Sequence, residues 1–222
     1  MAGTAKRRRG KSTAVGPETM NKQSDTALTQ LLAKARREKA MLRRKVALEV
    51  RGLSPERRTT AAARARVLLQ QQRIWQDARS VLLFAPLPEE LDVWPLVNAA
   101  LASGKQVALP RYTGASSDYI ACWVRAPEKE LELGQYGIRE PNERCTIAPL
   151  LRLDFILVPG VAFDLHGRRL GRGRGHYDRM LAAARGTTCG AAFDEQIVRE
   201  VPVEPHDVHL NCILTPTRWI EL

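Results

Sequence analysis

One stretch limits the possible folds of this chain more than any other. Asp154-Phe155-Ile156-Leu157-Val158 opens a continuous apolar run and Pro159-Gly160 ends it. A loop follows with glycine at every second position from Gly171 to Gly175 and arginines between, and a helix then starts near Tyr177. An apolar run without polar alternation belongs to a strand buried on both faces. Glycine lets the backbone approach an anion, successive amides form a nest, the helix start adds partial positive charge, and arginine supplies paired donors. The loop therefore reads as a phosphate site, with Asp178 available to hold a metal that bridges phosphate oxygens. The spacing is not the dinucleotide fingerprint Gly-x-Gly-x-x-Gly, and there is no Walker-type Gly-x-x-x-x-Gly-Lys-Ser/Thr. On spacing alone, a flexible surface turn or an RNA-binding Arg-Gly segment stays open as the plainer alternative.

The rest of the sequence supplies a setting for that loop. Leu28, Leu31, Leu32, Ala35, Met41, Leu42, Val46 and Val50 recur at three- and four-residue spacing and stop at Gly52, which predicts a first helix. Ser54-Pro55-Glu56 is a helix start, and Ala61, Ala65, Leu68 and Leu69 give the second helix its apolar face. After Arg79 short apolar runs alternate with helical patterns. Strands are expected at 81–84, 106–109, 119–124, 154–158, 189–193 and 211–214, and helices at 93–103 and 177–184, with a short tail at the end. This alternation predicts an α/β layered domain over residues 27–222, with a largely parallel or mixed central sheet flanked by helices.

Composition then excludes several classes. A chain of 222 residues that is 44% apolar has enough material for a real core. No apolar run approaches the roughly 18–20 residues that span a bilayer. The four cysteines, Cys122, Cys145, Cys189 and Cys212, form no Cys-x-x-Cys pair and are expected as reduced thiols in a cytoplasmic protein. Net charge is +11, but residues 1–79 hold 20 basic and 6 acidic side chains and the remainder 15 and 18. The excess thus sits on the first two helices and on residues 1–26, which read as a disordered basic tail around Lys6-Arg7-Arg8-Arg9-Gly10-Lys11. Such a block is compatible with RNA binding, though a solvated tail is the plainer reading.

At residues 159–178 the sequence resembles the 5-formyltetrahydrofolate cyclo-ligase family, also called methenyltetrahydrofolate synthetase. That family carries Pro-Gly after a strand, then Phe-Asp, then Gly-x-Arg-Leu-Gly-Arg-Gly-x-Gly-Tyr-Tyr-Asp, and this chain departs only in having His176 at the first tyrosine. Lys39-Ala40-Met41-Leu42-Arg43, Pro110-Arg111-Tyr112, Tyr136-Gly137-Ile138-Arg139-Glu140-Pro141 and Phe193-Asp194-Glu195-Gln196 followed by Asp207 resemble its other segments, in order. The likeness covers about residues 34–216.

The resemblance implies an enzyme that uses ATP and magnesium to convert 5-formyltetrahydrofolate into 5,10-methenyltetrahydrofolate, releasing ADP and phosphate. It implies that Lys39 and Arg43 reach the ATP phosphates from one helix face. Arg169, Gly171, Arg172, Gly173, Arg174, Gly175, His176 and Tyr177 would form the ATP loop, shared from Arg172 to His176 with the reacting end of the folate. Arg172, Arg174 and Lys39 would serve catalysis, and Asp178 and Asp207 would hold magnesium. Tyr136 would pack against the folate, with a core role as its alternative. The folate-contacting acid falls in Pro88-Glu89-Glu90-Leu91-Asp92-Val93, where register favours Glu90. The partners implied are the folate and ATP, without membrane and as a monomer. A rival reading is a nucleic-acid-binding protein that uses the tail and the first two helices.

Overall fold

The computed structural model describes the chain from residue 17 onward, apart from 115–117, 135–136 and 205–206, with side chains from residue 29. Helix α1 spans Pro17–Arg51, so the first helix, whose apolar spacing starts at Leu28 in the sequence, begins earlier than that spacing shows. A proline is well placed at a helix start, and the polar residues after it include no helix breaker. Residues 1–16, with the Lys6–Lys11 block, lie outside the described residues. Helix α2 (Pro55–Gln70) begins as its sequence predicts: the Ser54 hydroxyl accepts the Arg57 amide at 3.2 Å, and Pro55 occupies the first turn. Such a cap is worth about 1 kcal/mol.

A short helix, α3 (Arg73–Asp77), places Trp75 edge-on to Phe155 at 5.6 Å between ring centroids and leads into β1 (Ser80–Leu82). Then follow α4 (Pro95–Ala102), β2 (Gln106–Thr113), β3 (Asp118–Val124), α5 (Pro127–Glu130) and the hairpin β4 (Leu131–Leu133) and β5 (Arg139–Pro141). The second half holds β6 (Phe155–Pro159), the small hairpin β7 (Ala162–Phe163) and β8 (Arg169–Leu170), and α6 (His176–Ala182). It ends with β9 (Thr187–Ala191), β10 (Cys212–Leu214) and β11 (Trp219–Glu221).

Seven strands form one sheet in the order β11-β10-β9-β6-β1-β2-β3. The five inner strands are parallel, while β3 and β11 pair antiparallel at the edges. The α/β architecture with a mostly parallel mixed sheet is as expected from the sequence; the expected C-terminal tail is instead an edge strand. Along β6, Phe155 and Leu157 face the layer of α1, α2 and α4, and Ile156 and Val158 face that of α6. Helices on both faces explain why the run is apolar at consecutive positions. The four cysteines are free and buried. No described helix is long and apolar enough to cross a membrane.

The strand order fixes where a site can form. From β1 the chain crosses to β2 on one side of it, and later lays β6 on the other, so the order reverses between β1 and β6. At such a switch point the loops leaving the carboxyl ends of two neighbouring strands diverge and leave a crevice.

Candidate active site

A cavity of about 420 Å³ occupies that crevice. Phe84, Ala85 and Leu87 after β1, with Pro110, Ile138 and Tyr177, give it an apolar wall. The charged side comes from Glu90 on the loop after β1 and from Arg169, Arg172, Arg174 and Asp178 after β6. Both loops that the sequence singled out for chemistry thus meet at one place.

The glycine-arginine loop is shaped by local backbone demands. Gly173 and Gly175 have φ of +101° and +67°, conformations that side-chain-bearing residues rarely adopt. Gly175 turns the chain into α6, which has only seven residues, so amides and guanidinium groups of the loop outweigh any helix dipole. Arg43 reaches over from α1 and donates from Nε to the Gly171 carbonyl at 2.8 Å. Burial lowers the Arg43 pKa, an effect opposed by the carboxylates of Glu204 and Asp207.

Arg169 lies beneath this loop. Its side chain is 3% exposed, donates to Asp178 Oδ1 at 2.7 Å and to the Pro159 carbonyl at 3.3 Å, and stacks on Tyr177. It therefore holds Asp178 and ties β6 to the loop, and its Nε is buried without a partner among the described residues. Burial raises the Tyr177 phenol pKa, and the nearby Glu90 raises it further. Arg172 is half exposed and contacts Glu90 Oε1 at 3.3 Å and Glu89 Oε2 at 3.7 Å. Of these two acids Glu90 is the enclosed one, with its side chain 9% exposed against 40% for Glu89, and the Leu87 amide donates to its Oε2 at 3.0 Å. Burial raises the Glu90 pKa; the Leu87 amide and Arg172 pull the other way.

His176 replaces the expected tyrosine without leaving the cavity wall. Its ring stands edge-on to Tyr119 at 5.2 Å and Tyr112 at 6.1 Å. Arg179 approaches its Nδ1 at 3.0 Å and donates to Asp118 Oδ2 at 2.9 Å. Asp118 Oδ1 lies 3.5 Å from the same Nδ1, so this edge of the ring sits between a guanidinium and a carboxylate. The His176 Nε2 is buried and has no partner among the described residues.

Lys39 and Asp207 take a different arrangement from the one the resemblance implies. Lys39 is buried on the inner face of α1, one turn from Arg43, and donates to Asp207 Oδ2 at 2.6 Å and Glu204 Oε2 at 2.8 Å. The expected phosphate lysine is thus closed on the expected metal ligand. Glu204, which the sequence did not single out, completes the cluster, and its amide also donates to Asp207 Oδ2 at 2.8 Å. Neither Lys39 nor Asp207 lines the cavity; Arg43 stands between them and the loop. Among the described residues no three His, Cys, Asp or Glu side chains converge as a metal site would require. The donors still suit magnesium, which takes one or two carboxylates and completes its shell with phosphate and water oxygens. Tyr136 lies outside the described residues.

Fold and cavity together define an α/β protein that binds small molecules at a sheet switch point, with an anion-binding loop beside an apolar wall. Residues 35–216 match the 5-formyltetrahydrofolate cyclo-ligase family model. The chain is 33% identical over 172 residues to the 5-formyltetrahydrofolate cyclo-ligase of Escherichia coli, covering 76% of this chain and 94% of that protein. It is 29% identical over 188 residues to the mouse (Mus musculus) protein of the same name, covering 78% and 91%. The NMR structure of Aquifex aeolicus 5,10-methenyltetrahydrofolate synthetase superposes with a TM-score of 0.75 at 33% identity, over 83% of this chain and 92% of that one. The Mycoplasma pneumoniae 5,10-methenyltetrahydrofolate synthetase, at 19% identity and a TM-score of 0.64, shares the fold over 80% of this chain and 98% of that one. The chain belongs to the 5-formyltetrahydrofolate cyclo-ligase family.

Proposed function

We propose that this chain converts 5-formyltetrahydrofolate into 5,10-methenyltetrahydrofolate with consumption of ATP. The observation that carries the reading is the meeting, in one crevice of a family member, of a glycine-arginine loop with an apolar wall large enough for a fused ring. The formyl oxygen is a poor leaving group because its carbonyl is amide-like. Transfer of the γ-phosphoryl group to that oxygen breaks the bond to the β-phosphate bridging oxygen and releases ADP. N10 of the folate then attacks the formyl carbon, the phosphorylated oxygen departs as phosphate, and N10 loses its proton to leave the methenyl bridge. Little covalent chemistry is asked of the protein, so positioning and charge neutralisation carry the rate.

In this reading the loop amides and Arg172, Arg174 and Arg43 hold the phosphates, with His176 Nε2 donating to a bound oxygen. Arg169 acts from below by fixing Asp178. Glu90 accepts from the N–H groups of the pterin ring, and its exchange of Arg172 for that ring frees the guanidinium for the transferring phosphoryl group. Magnesium would be held by Asp178, and by Asp207 once Lys39 had turned from it to the phosphates, and would supply charge neutralisation there.

The test is to incubate the purified chain with 5-formyltetrahydrofolate, ATP and magnesium and follow the near-ultraviolet absorbance of the methenyl product. The reading expects product formation that stops without ATP or magnesium. No product at saturating substrates would refute it.

A further inference from the structure

Arg139 is a charged group of the cavity that neither the loop nor the family motif accounts for. It lies on β5, at the variable position between Ile138 and Glu140, and it lines the same cavity as Glu90 and Arg172. The other cavity arginines are engaged: Arg169 with Asp178, Arg172 with Glu90, and Arg174 with other contacts. The Arg139 side chain has no carboxylate or carbonyl partner among the described residues. Its guanidinium carbon instead sits 4.9 Å from the centre of the Trp94 ring. A stacked guanidinium uses only its face, so the N–H groups at its edge stay available, already oriented, for a bidentate anion. Trp94 is a firm platform: its amide is bonded to Asp92 Oδ1 at 3.0 Å, and its ring packs on the core.

We propose that Arg139, held by Trp94, binds the glutamate carboxylates of the folate and so sets the enzyme's preference for substrates that carry them. The inference rests on the folate reading of this cavity. The formyl group must meet the phosphates at the glycine-arginine loop, which puts the glutamate at the other end of the molecule. Arg139 comes from the β4–β5 hairpin, a separate segment of the cavity wall, directly beyond the apolar side chain of Ile138. An aromatic ring laid on that apolar wall would deliver its carboxylates to an arginine with unengaged donors.

The experiment compares 5-formyltetrahydrofolate with its bis-amide, in which both glutamate carboxylates are neutral, on the full chain and on Arg139→Gln, Arg139→Lys and Trp94→Leu. In the unmodified chain the KM for the bis-amide is expected to be about tenfold higher, the effect of losing one charge-assisted pair. In Arg139→Gln the KM ratio of the two substrates falls to about 1–2, while kcat on 5-formyltetrahydrofolate and the KM for ATP change little, the signature of lost ground-state binding. Arg139→Lys, which keeps charge but not the planar fork, and Trp94→Leu, which removes the platform, fall between. Thermal unfolding of each variant separates binding loss from misfolding, and direct titration of the folate without ATP must reproduce the KM ratio as a Kd ratio. A ratio unchanged by Arg139→Gln, or a loss that appears in the KM for ATP, would overturn the proposal. Absence of product from the unmodified chain would instead refute the folate reading itself.

Discussion

Two regions of the molecule are rich in arginine, and they use it in opposite ways. On the outer face of α1, Arg37, Arg44 and Lys45 are exposed and have no carboxylate partner among the described residues. In the loop and helix from Arg168 to Arg179 the guanidinium groups are tied down: Arg168 to Glu200 at 3.0 Å, Arg169 to Asp178, Arg172 to Glu90 and Arg179 to Asp118. The exposed cations of the first region build nothing specific; the second, with its five arginines against the single acid Asp178, builds the cavity. The boundary between the two runs through a single helix. Lys39 and Arg43, on the inner face of α1, behave like the loop residues, while their neighbours one position on behave like a solvated surface. Net charge therefore points to an anionic partner without locating it, and location follows from which cations are buried and bonded.

The sharpest break in that comparison should come at Lys39. Lys39→Met removes the buried ammonium that bonds both Glu204 and Asp207, while the exposed Arg36 stays 3.4 Å from Glu204; removing one partner of a buried pair costs about 3–5 kcal/mol. Arg44→Ala, on the exposed face of the same helix, should stay within about 0.5 kcal/mol. Urea unfolding of the two variants reads the difference; equal losses would mean that burial of Lys39 has no energetic weight. Next in size is Arg172→Ala. Its pairing is partly exposed, so stability should fall by less than about 1 kcal/mol, while turnover should drop by about 10²–10³-fold, as for loss of a donor to developing charge. A variant that unfolds in parallel with its loss of turnover would move Arg172 from function to structure.

Glycine gives a smaller and more selective contrast. Gly104, at the end of α4, has φ of +79° and Gly173 has +101°, so alanine at either should cost roughly 1–3 kcal/mol of backbone strain. Only Gly173→Ala should also reduce turnover, because its strain falls in the cavity loop that Arg43 holds at Gly171; the new methyl itself would meet the Arg43 guanidinium at an ordinary 3.5 Å. Kinetics on both variants at a temperature where each is folded decide this.

The smallest effect should be found at Glu90, whose folded pKa is raised by burial. A carboxyl with a raised folded pKa costs stability above its unfolded pKa of about 4.3, and the cost disappears below it, where the group is protonated in both states. Glu90→Gln should therefore raise the unfolding midpoint at pH 7 by about 2–4 °C, with the gain closing as the pH is lowered to about 4. It should also weaken folate binding. Calorimetric scans across that pH range would contradict the account if the gain grew toward acid.

Much of this was legible in the sequence, and what escaped has physical reasons. The apolar run 155–158, the positive-φ glycines and the Ser54-Pro55 cap are local signals, and each leads to the element it implies. The glycine-arginine loop and Glu90 come together because both leave neighbouring parallel strands at their carboxyl ends, which follows from α/β topology. The β4–β5 hairpin was not expected, because two three-residue strands carry too little periodicity to read, and with it Arg139 was passed over. β11 was taken as a tail for the same reason. The pairing of Lys39 with Glu204 joins residues 165 positions apart and leaves no trace in local spacing. The family resemblance makes Lys39 a phosphate ligand and Asp207 a metal ligand, and only the fold shows them bonded to each other.

The central claim is that this cavity joins the γ-phosphoryl group of ATP to the formyl oxygen of the folate. It is tested most directly by running the full chain with ATP, magnesium and 5-formyltetrahydrofolate labelled with ¹⁸O in the formyl group. The account predicts that each methenyl product formed is matched by one released phosphate that carries the label. Unlabelled phosphate, with the label lost to water, would contradict it.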